Sequence, residues 1–339
     1  MSSARKIAQF ILENDSYLLT THIFPDGDNM GCVLALSEAL ASLDKRFACY
    51  IDGVIPAMYR WLPGIERIDT DLKVALAKLN EHSACPVLFV VDSGDIHRMG
   101  DEFEEWYSHF DGLEIVNVDH HVSNAVFGTL NWVDPSYSSV GEMVYEILKE
   151  LGVEITPTIA QNLFVSVYTD TGRFSFSNTS VRSLKYASEY VAAGAEPIKA
   201  FRNVYASRTL ASFHLQAESF QTLTRFLDDK GCYFWVDRNM LEKTGTSFDD
   251  TEGFIDTVRT LRDFLIVVFF KEIDTTDIRV SVRAHPPIDA SALMNLFSGG
   301  GHPRAAGCRI DKPLHEAIDL FVKKAEKAIG SGEILEKIR

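Results

Sequence analysis

The stretch THIFPDGDNMG, Thr21 to Gly31, places His22, Asp26 and Asp28 within seven residues, where a short apolar run gives way to a longer one. Imidazole and carboxylate groups so spaced can hold a divalent cation, although a solvated turn rich in Asp and Gly is the commoner meaning of such a segment. An EF-hand loop fits poorly. Its fifth place is Met30 and its twelfth Ser37, so the bidentate Glu is missing. Three further clusters carry the same chemistry. Asp92, in VVDSGD, directly follows the apolar run VLFVV; Asp119, His120 and His121 form VDHH after another strand-like run; Asp170, in YTDTGRF, closes an apolar helical stretch. Taken singly, each is outweighed by an ordinary structural role: a helix cap, a surface or core histidine pair, a C-terminal turn. Taken together they are not, because four such turns at the ends of four apolar elements would meet at one sheet edge. Oxygen and imidazole donors without thiolate favour Mn²⁺, with Mg²⁺ or Co²⁺ open. The carboxylates of Asp26, Asp28, Asp92 and Asp170 would balance two such ions, and a pair about 3.5–4 Å apart can activate water and stabilise an in-line phosphoryl displacement.

The elements that must position these groups follow from the apolar pattern. Tyr17–Thr20 reads as a strand, and Met30, Val33, Leu34, Leu40 and Leu43 then recur at roughly helical spacing. Val87–Val91 is a continuous apolar run of the kind buried on both faces of a parallel sheet, and Leu113–Val118 is a weaker strand. Ser139 and Glu142 stand at capping-box spacing before the helical MVYEILKEL, and TIAQNLFVSVY reads as a buried helix. Strands alternating with helices imply an α/β fold with a doubly wound, mostly parallel sheet, its ligand at the carboxyl ends of the strands. Residues 191–213 read as a helical connector, and beyond it CYFWV, FLIVVFF and IRVSVRA are β-rich, with an amphipathic helix from about Leu314. The expected division is therefore a first domain over 1–190, the connector, and a second, smaller α/β domain over 214–339.

Bulk properties bound the function. A chain of 339 residues exceeds the size at which one core stops growing. Its formal net charge of −15 argues against a duplex-DNA-binding surface but not against a short nucleotide neutralised by metal. Cys32, Cys49, Cys85, Cys232 and Cys308 are scattered, with no CxxC spacing, which argues against structural zinc and disulfides. With no apolar h-region and no run of about 18 apolar residues, the expectation is a cytoplasmic protein that does not engage membranes.

In their order, HIFPDGD, VVDSGD, VDHH and YTDTGRF resemble the motifs of the DHH phosphoesterase superfamily, and FSGGGHPRAAG, Phe297 to Gly307, resembles the glycine-rich signature of the DHH-associated C-terminal domain. The resemblance spans nearly the whole chain and is similar to the NrnA-type branch of bifunctional oligoribonucleases (nano-RNases) and pAp phosphatases. It implies two metals, one held by His22 and Asp26 and the other by Asp28, His120 and Asp170, with Asp92 bridging. It further implies that Asp119 supports the site, that His121 contacts the scissile phosphate, and that Gly299, Gly300, Gly301 and His302 contact the nucleotide with help from Arg283 and Arg304. The implied substrates are very short single-stranded RNA, pAp, and linear or cyclic dinucleotides such as pApA and cyclic-di-AMP; the implied assembly is a homodimer. Cys32 stands where the family often has Ser, Ser298 where a fourth Gly is usual, and RAHPP follows the strand that relatives often continue with Arg-Ser. None of these departures touches a metal ligand; they bear on substrate preference. Family II inorganic pyrophosphatases share the metal set but not the glycine-rich signature, and RecJ-type exonucleases share both but are normally longer. A nucleotide-binding regulatory module without catalysis is the rival from another class.

Overall fold

The computed structural model describes residues 2–79, 86–110, 112–332 and 334–335, so Cys85 lies outside the described residues. The chain divides into two units, Met1–Ser207 and Arg208–Arg339.

In the first unit the elements run α1 (Ser3–Glu13), β1 (Ser16–Thr20), α2 (Gly27–Ser42), β2 (Arg46–Tyr50), β3 (Ile68–Asp69), α3 (Leu72–Lys78), β4 (Val87–Val91) and α4 (Asp101–Tyr107). They continue with β5 (Ile115–Asp119), β6 (Leu130–Val133), α5 (Val140–Leu151), α6 (Pro157–Asp170), α7 (Val181–Ala192) and α8 (Pro197–Ala200), which passes into a π-helical turn at Phe201–Tyr205. The six strands form one sheet in the order β3-β2-β1-β4-β5-β6, and every pairing is parallel. The continuous apolar runs are explained by burial on both faces. Tyr17, Leu19, Phe89 and Val91 pack with α1, α2 and α5 to α7, whereas Leu18, Leu88 and Val90 pack with α3 and α4. Strand order reverses between β1 and β4, and the crevice outside the carboxyl ends at such a reversal is where open α/β sheets bind ligands. His22 follows β1 by two residues, Asp92 follows β4 directly, and Asp119 is the last residue of β5.

Helices α2 and α6 cross closely. A Cβ on Gly31 would lie 3.0 Å from Ser166 Cβ and would press on the Asn162 carbonyl, so only glycine permits this approach. The crossing brings Asp28, in the first turn of α2, toward Asp170 at the end of α6.

The second unit comprises α9 (Leu210–Gln221), β7 (Thr224–Phe226), β8 (Gly231–Val236), α10 (Arg238–Thr244), α11 (Phe254–Val258), β9 (Ile266–Asp274) and β10 (Asp277–Ala284). It ends with α12 (Ala290–Asn295), β11 (Gly300–His302), β12 (Ala305–Ile310) and α13 (Leu314–Gly330). Its sheet, ordered β11-β12-β10-β9-β8-β7, is antiparallel apart from the parallel pair β8 and β9. Period-two alternation sends Ile266, Val268 and Phe270 to the α12 and α13 side, and Val267 and Phe269 to the side of α9 to α11. The glycine-rich segment is not a free loop. Gly300, Gly301 and His302 pair with Gly307, Ala306 and Ala305 in a tight hairpin.

Candidate metal centre

Asp26 opens α2 as its N-cap, its Oδ1 accepting from the N–H groups of Asp28 at 2.9 Å and Asn29 at 3.2 Å. The Asn29 amide accepts from Asp26 N–H through Oδ1 and donates from Nδ2 to the lone pair of His22 Nε2 at 3.1 Å, a bond that a metal ion on Nε2 would replace. Asp28 is held from a distance in sequence. Its carboxylate accepts from Val140 N–H at 2.8 Å and Gly141 N–H at 3.1 Å, the first turn of α5, and from Ser166 Oγ at 2.5 Å. A helix N-terminus stabilises an anion placed there. Ser139 and Glu142 do not form the capping box their spacing suggests: Ser139 is the N-cap of α5 but makes no side-chain cap bond, and the first two N–H groups of the helix, Val140 and Gly141, donate to Asp28. Glu142 instead accepts from Ser138 N–H and Arg182 Nε.

Asp92 has a left-handed backbone, φ 54°, a conformation that Asp tolerates better than most residues. Its Oδ1 lies 3.7 Å from His120 Nε2 and 3.6 Å from His121 Nδ1, and its Oδ2 lies 4.0 Å from His22 Nε2. His120 Nε2 is also 3.9 Å from Asp28 Oδ2 and 3.6 Å from Asp170 Oδ2, with its Nδ1 against the Tyr137 carbonyl at 3.1 Å. The two histidine rings stand at 76° to one another. His121 Nδ1 donates to Asp119 Oδ1 at 2.6 Å.

Three sets of side chains therefore have donor atoms within 4.8 Å of one another: His22, Asp26 and Asp92; Asp92, His120 and His121; Asp28, His120 and Asp170. All six residues expected as ligands come together, and Asp92 belongs to two of the sets. The electrostatics fit a cation. Burial first, and then the charges of Asp28 and Asp26, push the Asp92 and Asp170 carboxyls well above the ordinary carboxylate range. The buried atoms Asp92 Oδ1 and Asp170 Oδ2 have no hydrogen-bond partner. Such atoms take a proton or a metal ion. Burial, and next the Arg98 charge, lower His22 to about 4, which keeps it a neutral donor at pH 7. Burial raises Asp119, but His121 and the Asn124 donor outweigh this and leave it below its usual value. Cys32 abuts Asp28 at 3.5 Å, yet burial and the Asp28 and Asp92 charges raise its thiol well above normal, so the donor set remains oxygen and imidazole.

In the second unit, Arg283 on β10 is paired with Asp256 at 3.1 Å, and Arg304, in the β11–β12 turn, donates to the Ile288 carbonyl at 2.9 Å. Gly299 precedes the hairpin strand that carries Gly300, Gly301 and His302. Sequence reasoning missed the groups that hold the ligands: Asn29, Asn117, Asn124, Ser166 and the first turn of α5. A signal existed for two of them, since Asn117 and Ser166 are fully buried polar residues inside the apolar runs IVNV and LFVSV.

The description DHH family, N-terminal domain, matches residues 16–167, and DHHA1 domain matches residues 228–331. Bifunctional oligoribonuclease and PAP phosphatase NrnA of Bacillus subtilis is 29% identical over 300 residues, covering 87% of this chain and 90% of its own. The protein of the same description from Thermus thermophilus is 28% identical over 292 residues, covering 86% and 83%. Among solved structures, an exopolyphosphatase-related protein from Bacteroides fragilis matches with a TM-score of 0.89 at 23% identity over 97% of each chain. RecJ from Thermus thermophilus in complex with Mn²⁺ matches at 0.59 and 13% identity, over 99% of this chain and 56% of RecJ. Those two structures share the fold. Among the described residues no helix is long and apolar enough to cross a membrane.

Proposed function

We propose that this chain, which joins a DHH domain to a DHHA1 domain, is a divalent-metal phosphohydrolase that degrades very short oligoribonucleotides to mononucleotides and dephosphorylates pAp to AMP. The observation that carries this reading is that Asp92 groups with His22 and Asp26 and lies 3.7 Å from His120, which groups with Asp28 and Asp170, at the point where strand order reverses. The NrnA relatives, described as oligoribonucleases and pAp phosphatases, support the substrate class. Two divalent ions, Mn²⁺ by preference and otherwise Mg²⁺ or Co²⁺, supply Lewis acidity and a water activated at neutral pH when bound.

The chain's own residues do the rest. Asp92 fixes the separation of the two halves of the centre, with His22 and Asp26 on one side and Asp28, His120 and Asp170 on the other. Asp28 is aimed by the N–H groups of the α5 N-terminus. His121, oriented by Asp119, meets the scissile phosphate and delivers a proton at the leaving oxygen. Arg283, Arg304, His302 and the backbone N–H groups around Gly299, Gly300 and Gly301 grip the rest of the nucleotide, because Arg offers a fork of donors to phosphate and glycine lets N–H groups approach an anion. pApA and cyclic-di-AMP fall within the same chemistry, and the working assembly is a homodimer in the cytoplasm.

The test is a substrate panel with Mn²⁺: pAp, pApA, cyclic-di-AMP, RNA of two to ten nucleotides, and pyrophosphate. Release of AMP from pAp and of mononucleotides from the shortest RNAs is expected. Turnover of pyrophosphate alone would overturn the reading in favour of a pyrophosphatase, and binding without turnover would favour a regulatory module.

A further inference from the structure

Asn117 sits inside β5 with no exposed surface, a buried amide between Val116 and Val118. Burying an amide costs free energy unless its donors and acceptor are satisfied, so its partners are informative. Asn117 Nδ2 donates to the Ser93 carbonyl at 3.1 Å, and its Oδ1 accepts from Asn124 Nδ2 at 2.8 Å. Asn124 Nδ2 also donates to Asp119 Oδ2 at 2.6 Å, while its Oδ1 accepts from Val126 N–H at 2.6 Å. That last bond fixes which end of the Asn124 amide faces Asp119, since the opposite orientation would set a carbonyl against a carboxylate. Backbone bonds tie the same two segments, with Ala125 N–H donating to the Gly94 carbonyl at 2.8 Å. Gly94 packs closely here: a Cβ on it would stand 3.3 Å from Asn124 Cα. The pair therefore touches both sides of the centre. Through Asp119 it reaches His121, and through the Ser93 carbonyl it reaches the Ser93–Gly94 peptide, one residue beyond the left-handed Asp92.

We infer that Asn117 and Asn124 form a positioning strut that holds His121, by way of Asp119, and the Asp92 turn, by way of Ser93, in one fixed relative geometry for phosphoryl hydrolysis. Neither asparagine touches the reacting atoms or supplies a metal donor. The Asn124 amide nitrogen lies within hydrogen-bond reach of Asp119, of Asn117 and, at 3.3 Å, of the Ser93 carbonyl, and each carboxylate oxygen of Asp119 has a separate duty: Oδ1 holds His121 and the His120 N–H, and Oδ2 is anchored by Asn124. Without the anchor the carboxylate is free to rotate, and the ring it orients turns with it.

The inference rests on the proposed hydrolysis for its kinetic arm, and a second arm does not depend on turnover. Asn124→Leu keeps the side-chain volume and removes the donors. On pAp it is expected to lower kcat about 10–100-fold, the usual cost of losing a partner that orients a working side chain, with KM changed less than about threefold and metal content unchanged. In a His121→Ala background the same change should cost clearly less than in wild type, because the part that acts through His121 is gone and only the hold on the Asp92 turn remains. The second arm is ¹⁵N-histidine NMR of the chelated protein at one fixed pH, with His121 assigned by its loss in His121→Ala. Wild type should show His121 protonated at Nδ1, and Asn124→Leu should show mixed tautomers. Asn124→Ser, which cannot span Asp119 and Asn117 together, serves both arms if the leucine variant does not fold. An unchanged His121 signature, losses that multiply in the double mutant, or loss of metal with Asn124 would overturn the strut. No turnover of any nucleotide by wild type would overturn the proposed function, and the tautomer measurement would still decide the strut.

Discussion

A single carboxylate, Asp92, faces three histidines across 3.6–4.0 Å and belongs to two of the three candidate sets, so its loss should be felt by both halves of the proposed centre. Asp92→Asn keeps the shape and removes the charge; turnover should fall by more than the roughly 10–100-fold that an orienting partner is worth, and metal per chain should drop when measured by mass spectrometry. Near wild-type activity with Mn²⁺ would refute the shared-ligand assignment. The neighbouring histidines should separate cleanly. His120→Ala is expected to weaken metal binding, whereas His121→Ala should keep the metal and lose about 10²–10⁴-fold in turnover, the range of a proton-transfer group. The buried acids also predict how stability depends on pH. With Asp92 and Asp170 raised above their unfolded values, the folded chain binds more protons than the unfolded one, so in chelator these two carboxyls should lower the melting temperature as pH rises above the ordinary carboxylate range. Below about 6.5, His22 acts oppositely: lowered to about 4, it contributes stability that is lost as pH falls through that value. Mn²⁺, which competes with those protons, should flatten or reverse the alkaline slope; an unchanged slope would mean that these carboxyls are not the ligands.

At the scale of elements, two contacts decide whether the residues meet. The α2–α6 crossing depends on Gly31, and Gly31→Val should cost about 1–3 kcal/mol of stability by overpacking, with a parallel loss of metal affinity because Asp28 and Asp170 ride on those helices. Chemical denaturation and metal titration on the same variant check the link, and a destabilised variant with normal metal affinity would break it. The β11–β12 hairpin makes a sharper comparison. Gly301 has φ 143°, and a Cβ there would lie 2.6 Å from the Ala305 carbonyl oxygen and Ala306 Cα, so Gly301→Val should disrupt the hairpin. At Gly300 the nearest such atom is Asn295 Oδ1, at 4.0 Å. Gly300→Val should therefore leave the melting temperature within about 2 °C, a shift below 1 kcal/mol for a domain of this size, and act only on recognition.

For the molecule as a whole, chemistry and recognition are assigned to different units, and the kinetics should divide accordingly. Gly300→Val or His302→Ala should greatly impair kcat/KM for pAp and dinucleotides, because binding energy remote from the reacting phosphorus is expressed in turnover. Neither should much affect Mn²⁺-dependent hydrolysis of a small activated phosphodiester that carries no second nucleotide. Equal losses on both substrates would mean that the hairpin supports the fold and not recognition. The net charge of −15 has its own consequence: it repels an anionic substrate at long range, so kcat/KM should rise as added salt screens that repulsion.

The candidate ligand residues stood out in the sequence because each lies beside the end of an apolar run, and the end of a buried run is a local property; the structure brings their donor atoms together. The strands Val87–Val91 and, within a residue, Ser16–Thr20 were legible for the same reason. The short strands β3, β6, β7 and β11 were not, since two to four residues carry no pattern of their own and are defined by their neighbours. What no local reading reaches is the support around the ligands. Asp28 is held by Val140, 112 residues away, and by Ser166, 138 away, and the Asn117–Asn124 pair meets Ser93 only because β4 and β5 are adjacent. The sequence determined which side chains could bind metal and at which strand ends they stand. Only the tertiary structure decided which of those ends lie side by side and which donors aim them, because strand order and helix crossing arise from packing between segments far apart in the chain.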